Sequence, residues 1–225
     1  MAVTGEYILL GSALLLAIGD WIAVAKGWRI ANYILKPAVM VVILAWLGSA
    51  GGFSGWMIWF SIGTLFLLVG DVLLMLPQDR FLTGLIAFLC AHLAYIVGFN
   101  PALPPFNLSS LVLTVLLIVT AIQVYRLIIL RMRAAGQDKL FLPVTVYSIV
   151  LGLMILSALL TLARPEWHPV PAILVSAGAI LFMLADTLLA LNRFGGLENN
   201  KQVISLAAYH LGTFLIVLGA WLHYR

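Results

Sequence analysis

Three aspartates, Asp20, Asp71 and Asp186, stand inside long apolar runs. An ionised carboxylate in hydrocarbon costs at least about 2.5–3.5 kcal/mol on insertion scales, so such residues face the protein interior or a wet cavity. Two carboxyls held close together away from water tend to share a proton, because desolvation and mutual repulsion keep one neutral while the other ionises. That is an acid and a base ready for use. A plainer role is also open, in which each aspartate pairs with an interfacial cation such as Lys36 or Arg126 and only pins helices together.

Other side chains with chemistry to offer are few. Phe81, Phe88, His92, Tyr95 and Phe99 follow one another at spacings of seven, four, three and four, which is one face of a helix. Such a stripe is ordinary packing, yet His92 and Tyr95 need polar partners inside a membrane, and the aspartates are candidates. Tyr209 and His210 form a second such pair. Lys36, just before Pro37, reads either as a snorkelling anchor or as a phosphate ligand. Cys90 is the single cysteine, with a packing role, and allows no intramolecular disulfide. Neither CxxC nor HExxH nor a glycine-rich phosphate loop occurs, so neither a metal nor a cofactor is expected.

The elements that must position these residues follow from composition. Hydrophobic residues make up 64% of the 225 positions and charged ones 9%, far outside the range of a soluble domain. A membrane span needs about 20 mostly apolar residues, and runs of that length predict eight helices near 7–25, 33–50, 56–76, 80–99, 108–132, 139–163, 170–191 and 201–223. The expected fold is all-α, a polytopic membrane protein forming one transmembrane domain over 1–225. The first run is read as a retained helix and not a cleaved leader, since it lacks a basic n-region, carries Glu6 and continues past Asp20.

With eight spans, the odd-numbered loops share one side and hold Lys26, Arg29, Lys36, Arg80, Arg126, Arg131, Arg133, Lys139, Arg193 and Lys201. That is ten of the twelve basic residues, leaving only Arg164 and Arg225 opposite. The positive-inside rule therefore predicts both termini outside the cytoplasm. The net charge of +4 is a topology signal and an attraction to anionic membrane lipid, not a nucleic-acid surface. Helices 1, 3 and 7 then run inward. Each aspartate lies five residues, roughly 7–8 Å of rise, before its predicted helix end, at a common depth near the cytoplasmic face.

An internal repeat organises the same residues. LFLLVGDVLLML (65–76) parallels ILFMLADTLLAL (180–191); each is followed by an Arg-Phe pair, Arg80-Phe81 or Arg193-Phe194, and then by a helix with a histidine, in AHLAY or AYHLG. LKPAVMVVIL around Pro37 parallels FLPVTVYSIV around Pro143. Halves 1–100 and 101–225 would be four helices each, related by an axis along the membrane normal. Asp71 and Asp186 would then be symmetry mates facing a shared central cavity.

GDVLLM (70–75), FLTGLIAFLCAHLAYIVGF (81–99), LKPAVM and LFMLADTLLALNRF (181–194) resemble, in order and spacing, the YhhN-like lysoplasmalogenase family. The resemblance runs from Lys36 to the last helix and is weakest around Asp20. Members often carry serine before the second aspartate, where this chain has Ala185, which removes one possible hydrogen bond to Asp186. The resemblance implies hydrolysis of the vinyl ether bond of a lysophospholipid, lysoplasmalogen, to a fatty aldehyde and glycerophosphoethanolamine or glycerophosphocholine. Acid hydrolysis of a vinyl ether begins with proton transfer to carbon and passes through an oxocarbenium ion, so two carboxyls can divide the work as in glycoside hydrolysis. Asp71 and Asp186 are the expected catalytic pair, with Asp20 a supporting candidate. Lys36 and the odd-loop arginines would hold phosphate, and His92, Tyr95, Asn192, Tyr209 and His210 would line the substrate site. In a bacterium the address would be the inner membrane.

Two other classes fit intramembrane carboxylates. A proton-coupled transporter needs polar steps through the outer half of the membrane too, and the outer ends of these spans are almost uncharged. A non-catalytic lipid-binding protein would make the common depth of the aspartates an accident.

Overall fold

The computed structural model describes the backbone of residues 2–225 and the side chains of 7–225 other than Asn199; Glu6 lies outside the described side chains. Among the described residues there are eight long helices: α1 (Ala2–Ala25), α2 (Arg29–Ser49), α3 (Met57–Met75), α4 (Phe81–Phe99), α5 (Leu108–Ala134), α6 (Phe141–Leu160), α7 (Pro169–Gly195) and α8 (Asn199–Tyr224). Short 3₁₀ turns, Asp138–Leu140 and Thr161–Ala163, flank α6. All eight helices are long and apolar enough to cross a membrane, and the protein is a multi-pass integral membrane protein. In hydrocarbon the backbone must satisfy its own hydrogen bonds, which a helix does and an irregular segment does not.

Of the helix ends that differ from the hydropathy reading, two have a clear backbone cause. The second helix starts at Arg29 and not at 33, because the chain turns at Gly27, whose φ of 70° is open to glycine. The Gly27 and Trp28 amides close that turn on the Val24 and Ala23 carbonyls, a glycine-capped helix end, and Arg29 and Asn32 simply begin the next helix. Pro37 therefore lies well inside α2, where it cannot donate to the Tyr33 carbonyl. The seventh helix runs on through Asn192, Arg193 and Phe194 to Gly195 and stops where Gly196 takes φ 69°. Polar residues mark the membrane boundary without ending the helix. Asp20 and Asp71 lie five and four residues before their helix ends, but Asp186 lies nine before its own, so equal spacing from the helix end does not hold.

The chain forms two compact units, one of residues up to Gly98 with Tyr224 and Arg225, the other Phe99–His223. In the first, Met40, Ile43 and Trp46 of α2 and Phe60 and Leu67 of α3 are buried, and Gly63 lets the Tyr95 ring of α4 lie where a Cβ would be. In the second, Met154 and Ile155 of α6, Val175 and Phe182 of α7 and Ile216 of α8 form the interior. Arg164, the one basic residue of the inter-helix loops on the sparsely charged side, is buried there and donates to the Ala102 carbonyl and the Asn100 side chain at 3.1 and 2.7 Å. Large apolar side chains left exposed, such as Leu116, Ile118 and Val119 on α5, are lipid-facing in a protein of this kind.

Small residues set how closely α7 and α8 approach. A Cβ added at Gly178 would lie 2.7 Å from the Gly212 carbonyl oxygen and 2.8 Å from the Ile216 nitrogen, both backbone atoms that cannot rotate away, whereas nothing lies within 4 Å of one added at Gly152. Gly178→Ala is expected to cost about 1–3 kcal/mol through overpacking, seen as a fall in apparent melting temperature in detergent. Gly152→Ala, gaining only helix propensity, should hold or raise it.

Candidate active site

In the first unit α2 carries Asn32 and Lys36 one helical turn apart, hence on one face. Asn32 donates to Asp20 Oδ1 on α1 at 2.8 Å. Lys36 Nζ lies 2.8 Å from Asp71 Oδ1 on α3, with the lysine side chain 16% exposed and the aspartate fully buried. α2 thus holds one acid on each side of its polar face. Beside Asp71, Gly70 has no side chain and the Phe88 ring packs against it, 3.0 Å from where a Cβ would be.

Tyr95 and His92 are both completely buried. The Tyr95 hydroxyl meets Thr64 Oγ1 at 3.1 Å, its ring stacks on Phe60 at 5.7 Å between centroids, and Thr64 in turn donates to the Phe60 carbonyl. The expected aspartate partner for Tyr95 is thereby corrected. Thr64 lies about two helical turns from Asp71 on α3, so the Tyr95 hydroxyl meets that helix at another level than the acid.

In the second unit Tyr147 of α6 donates a hydrogen bond to Asp186 Oδ2 on α7, and both side chains are buried. Tyr147 stands one turn beyond Pro143, which occupies the first turn of α6, where its missing N–H costs no helical bond. Ser205 of α8 donates to the Ala185 carbonyl at 3.0 Å, fixing α8 against the backbone next to Asp186. Farther along α8, Tyr209 packs edge-on to Phe182, and Tyr209 and His210 are buried. Asn192 accepts from the Leu197 amide at 3.0 Å and so closes the turn after α7.

The sequence reading placed Lys36, Asp71 and Asp186 without supplying Tyr147 or Asn32. Tyr147 lies in FLPVTVYSIV, the segment matched to α2 on its proline, and a tyrosine hydroxyl within a membrane span was the available signal. Arg126, the alternative cation, is exposed and forms no ion pair among the described residues. Among the described residues no group of three or more His, Cys, Asp or Glu side chains could hold a metal ion.

The YhhN family model matches residues 31–220, most of the chain and both halves of this geometry. The chain belongs to the YhhN family. Among its relatives, this YhhN protein is 27% identical over 201 residues to lysoplasmalogenase TMEM86B of Mus musculus, covering 89% of this chain and 79% of that one. It is 30% identical over 179 residues to lysoplasmalogenase TMEM86B of Sus scrofa, covering 80% and 69%. It is 31% identical over 169 residues to the lysoplasmalogenase of Mycobacterium bovis, covering 71% and 60%. No solved structure matches the chain.

Breaking a buried ion pair from one side leaves the other charge uncompensated. Lys36→Met is therefore expected to lose roughly 3 kcal/mol of stability, read as a lower apparent melting temperature. The double variant Lys36→Met/Asp71→Asn, which removes both charges, should recover most of the loss. A double variant as unstable as the single one would show that the two groups do not act as a pair.

Proposed function

We propose that this YhhN protein is a lysoplasmalogenase, hydrolysing the vinyl ether bond of lysoplasmalogen to a fatty aldehyde and a glycerophosphoethanolamine or glycerophosphocholine. The observation that carries this reading is the similarity, along most of the chain, to relatives named lysoplasmalogenase in mammals and in Mycobacterium. The buried carboxyls supply a chemistry to match. Protonation of the alkenyl carbon β to oxygen generates an oxocarbenium ion; water adds to the carbon next to oxygen, and the hemiacetal collapses to aldehyde and alcohol. The slow step needs a positioned acid and a negative charge near the cation.

Asp71 and Asp186 are the groups assigned to these two functions, one delivering the proton and the other meeting the cation as a carboxylate. Lys36, partly exposed and paired with Asp71, is assigned to the phosphate of the lysolipid, since a lysine ammonium can serve both. Asp20, held by Asn32, supports that end of α2 from the other side. His92, Tyr209 and His210 are assigned to the walls of the substrate site. Tyr95 supports them through its bond to Thr64, and Asn192 through the turn it closes.

The purified protein in detergent, given lysoplasmenylethanolamine, should release fatty aldehyde. In D₂O with rapid reductive trapping, the product should carry one deuterium on the carbon next to the carbonyl, since that carbon receives the solvent-derived proton. Asp71→Asn and Asp186→Asn should each slow release by about 100-fold or more, the usual worth of a positioned acid or base. Folded wild type that releases no aldehyde sinks the substrate assignment. Two fully active variants sink the carboxyl mechanism while keeping the reaction.

A further inference from the structure

The carboxyl mechanism of the proposed function leaves open which aspartate gives the proton and what aims it, and the two helix pairs differ in the relevant respect. Asp71 stands in an ion pair with Lys36, so it is the carboxylate, and taking a proton there would break the pair. Asp186 is met on Oδ2 by a phenolic hydroxyl, a neutral partner. A hydroxyl can donate to a carboxylate oxygen and equally to the carbonyl oxygen of a neutral carboxyl, so this contact survives a change of protonation state. It also occupies one oxygen.

We propose that Tyr147 is a positioning residue that engages Asp186 Oδ2 and so holds the carboxyl in the orientation from which its proton is delivered to the alkenyl carbon. In the step that follows, the carboxyl O–H bond breaks and the alkene π pair forms the new C–H bond. The positive charge passes to the ether carbon and oxygen, and Asp186 is left as a carboxylate still bonded by Tyr147. Water then adds to the ether carbon and loses a proton to that carboxylate; as the hemiacetal opens, this carboxyl proton passes to the departing glycerol oxygen and the hemiacetal hydroxyl returns its own proton to Asp186 as the carbonyl forms. Atoms and charge balance and no further reagent enters.

The local structure suits this role. Tyr147 is a buried, rigid ring on α6 with its hydroxyl at the end of two side-chain torsions, and the α6 backbone one turn earlier is fixed by Pro143. When α6 is matched to α2 on their prolines, the position of Lys36 falls to Leu142, which is exposed. The second unit therefore draws its carboxyl partner from a different turn and of a different chemical kind.

The test is Tyr147→Phe in the full-length protein, assayed for aldehyde release per folded protein on size exclusion. Tyr125→Phe is the comparator, since it removes a phenol that likewise bridges neighbouring helices, at 2.8 Å to Thr145. Tyr147→Phe should lower kcat by roughly 10–100-fold with KM changed less than about twofold, the pattern of a loss in the chemical step with substrate binding kept, while Tyr125→Phe leaves both parameters near wild type. Adding Tyr147→Phe to Asp186→Asn should cost little more than Asp186→Asn alone, whereas adding it to Asp71→Asn should multiply the losses. An unchanged kcat in Tyr147→Phe alongside an impaired Asp186→Asn overturns this inference alone. So does a loss confined to KM, or an equal fall in the Tyr125 variant. A fully active Asp186→Asn instead removes the mechanism on which the inference rests.

Discussion

A carboxyl group in hydrocarbon needs a partner, and the partner has to come from another helix. Much of the inner architecture of each unit follows from that constraint. Asp71 on α3 is tied to α2 by Lys36, Asp20 on α1 to α2 by Asn32, and Asp186 on α7 to α6 by Tyr147. Each bond crosses from one helix to its neighbour and fixes both the rotation and the vertical register of the two. Apolar packing between membrane helices lacks such directional control, because lipid tails are as apolar as leucine side chains. Glycines such as Gly63 and Gly178 then let the remaining helices come close enough to hold the tied pairs in place. The groups that fix the helices are also the groups with chemistry to offer.

Each acid has a partner of a different kind. Lysine makes an ion pair, tyrosine a hydroxyl bond and asparagine an amide bond. Two sequence segments as alike as LFLLVGDVLLML and ILFMLADTLLAL thus present their aspartates to unlike surroundings, because the helix that faces each one carries a different side chain. Division of labour between similar carboxyls can arise in this way without any change in the acids themselves.

What was legible in the sequence, and what was not, follows the same physics. Eight helices were readable because a span must be long and apolar, and Asp71 and Asp186 stood out because charge there is costly. Lys36 was readable as a charged residue next to a proline. Tyr147 and Asn32 were not, since their significance depends on which face of a helix turns toward which neighbour, a property of packing and not of hydropathy. Tyr95 illustrates the converse error: its type suggested an acid partner, while helix register gave it Thr64. The ends of α2 and α7 were misplaced because apolar runs report where lipid begins, whereas backbone turns at Gly27 and Gly196 report where a helix stops.

The ion pair between α2 and α3 also bears on how the protein is made. Lys36 leaves the ribosome well before Asp71, and neither charge is at ease in the bilayer until the other arrives. Entry of α2 together with α3 spares either charge that cost, so the bond that orders the finished helices also favours their insertion as a pair.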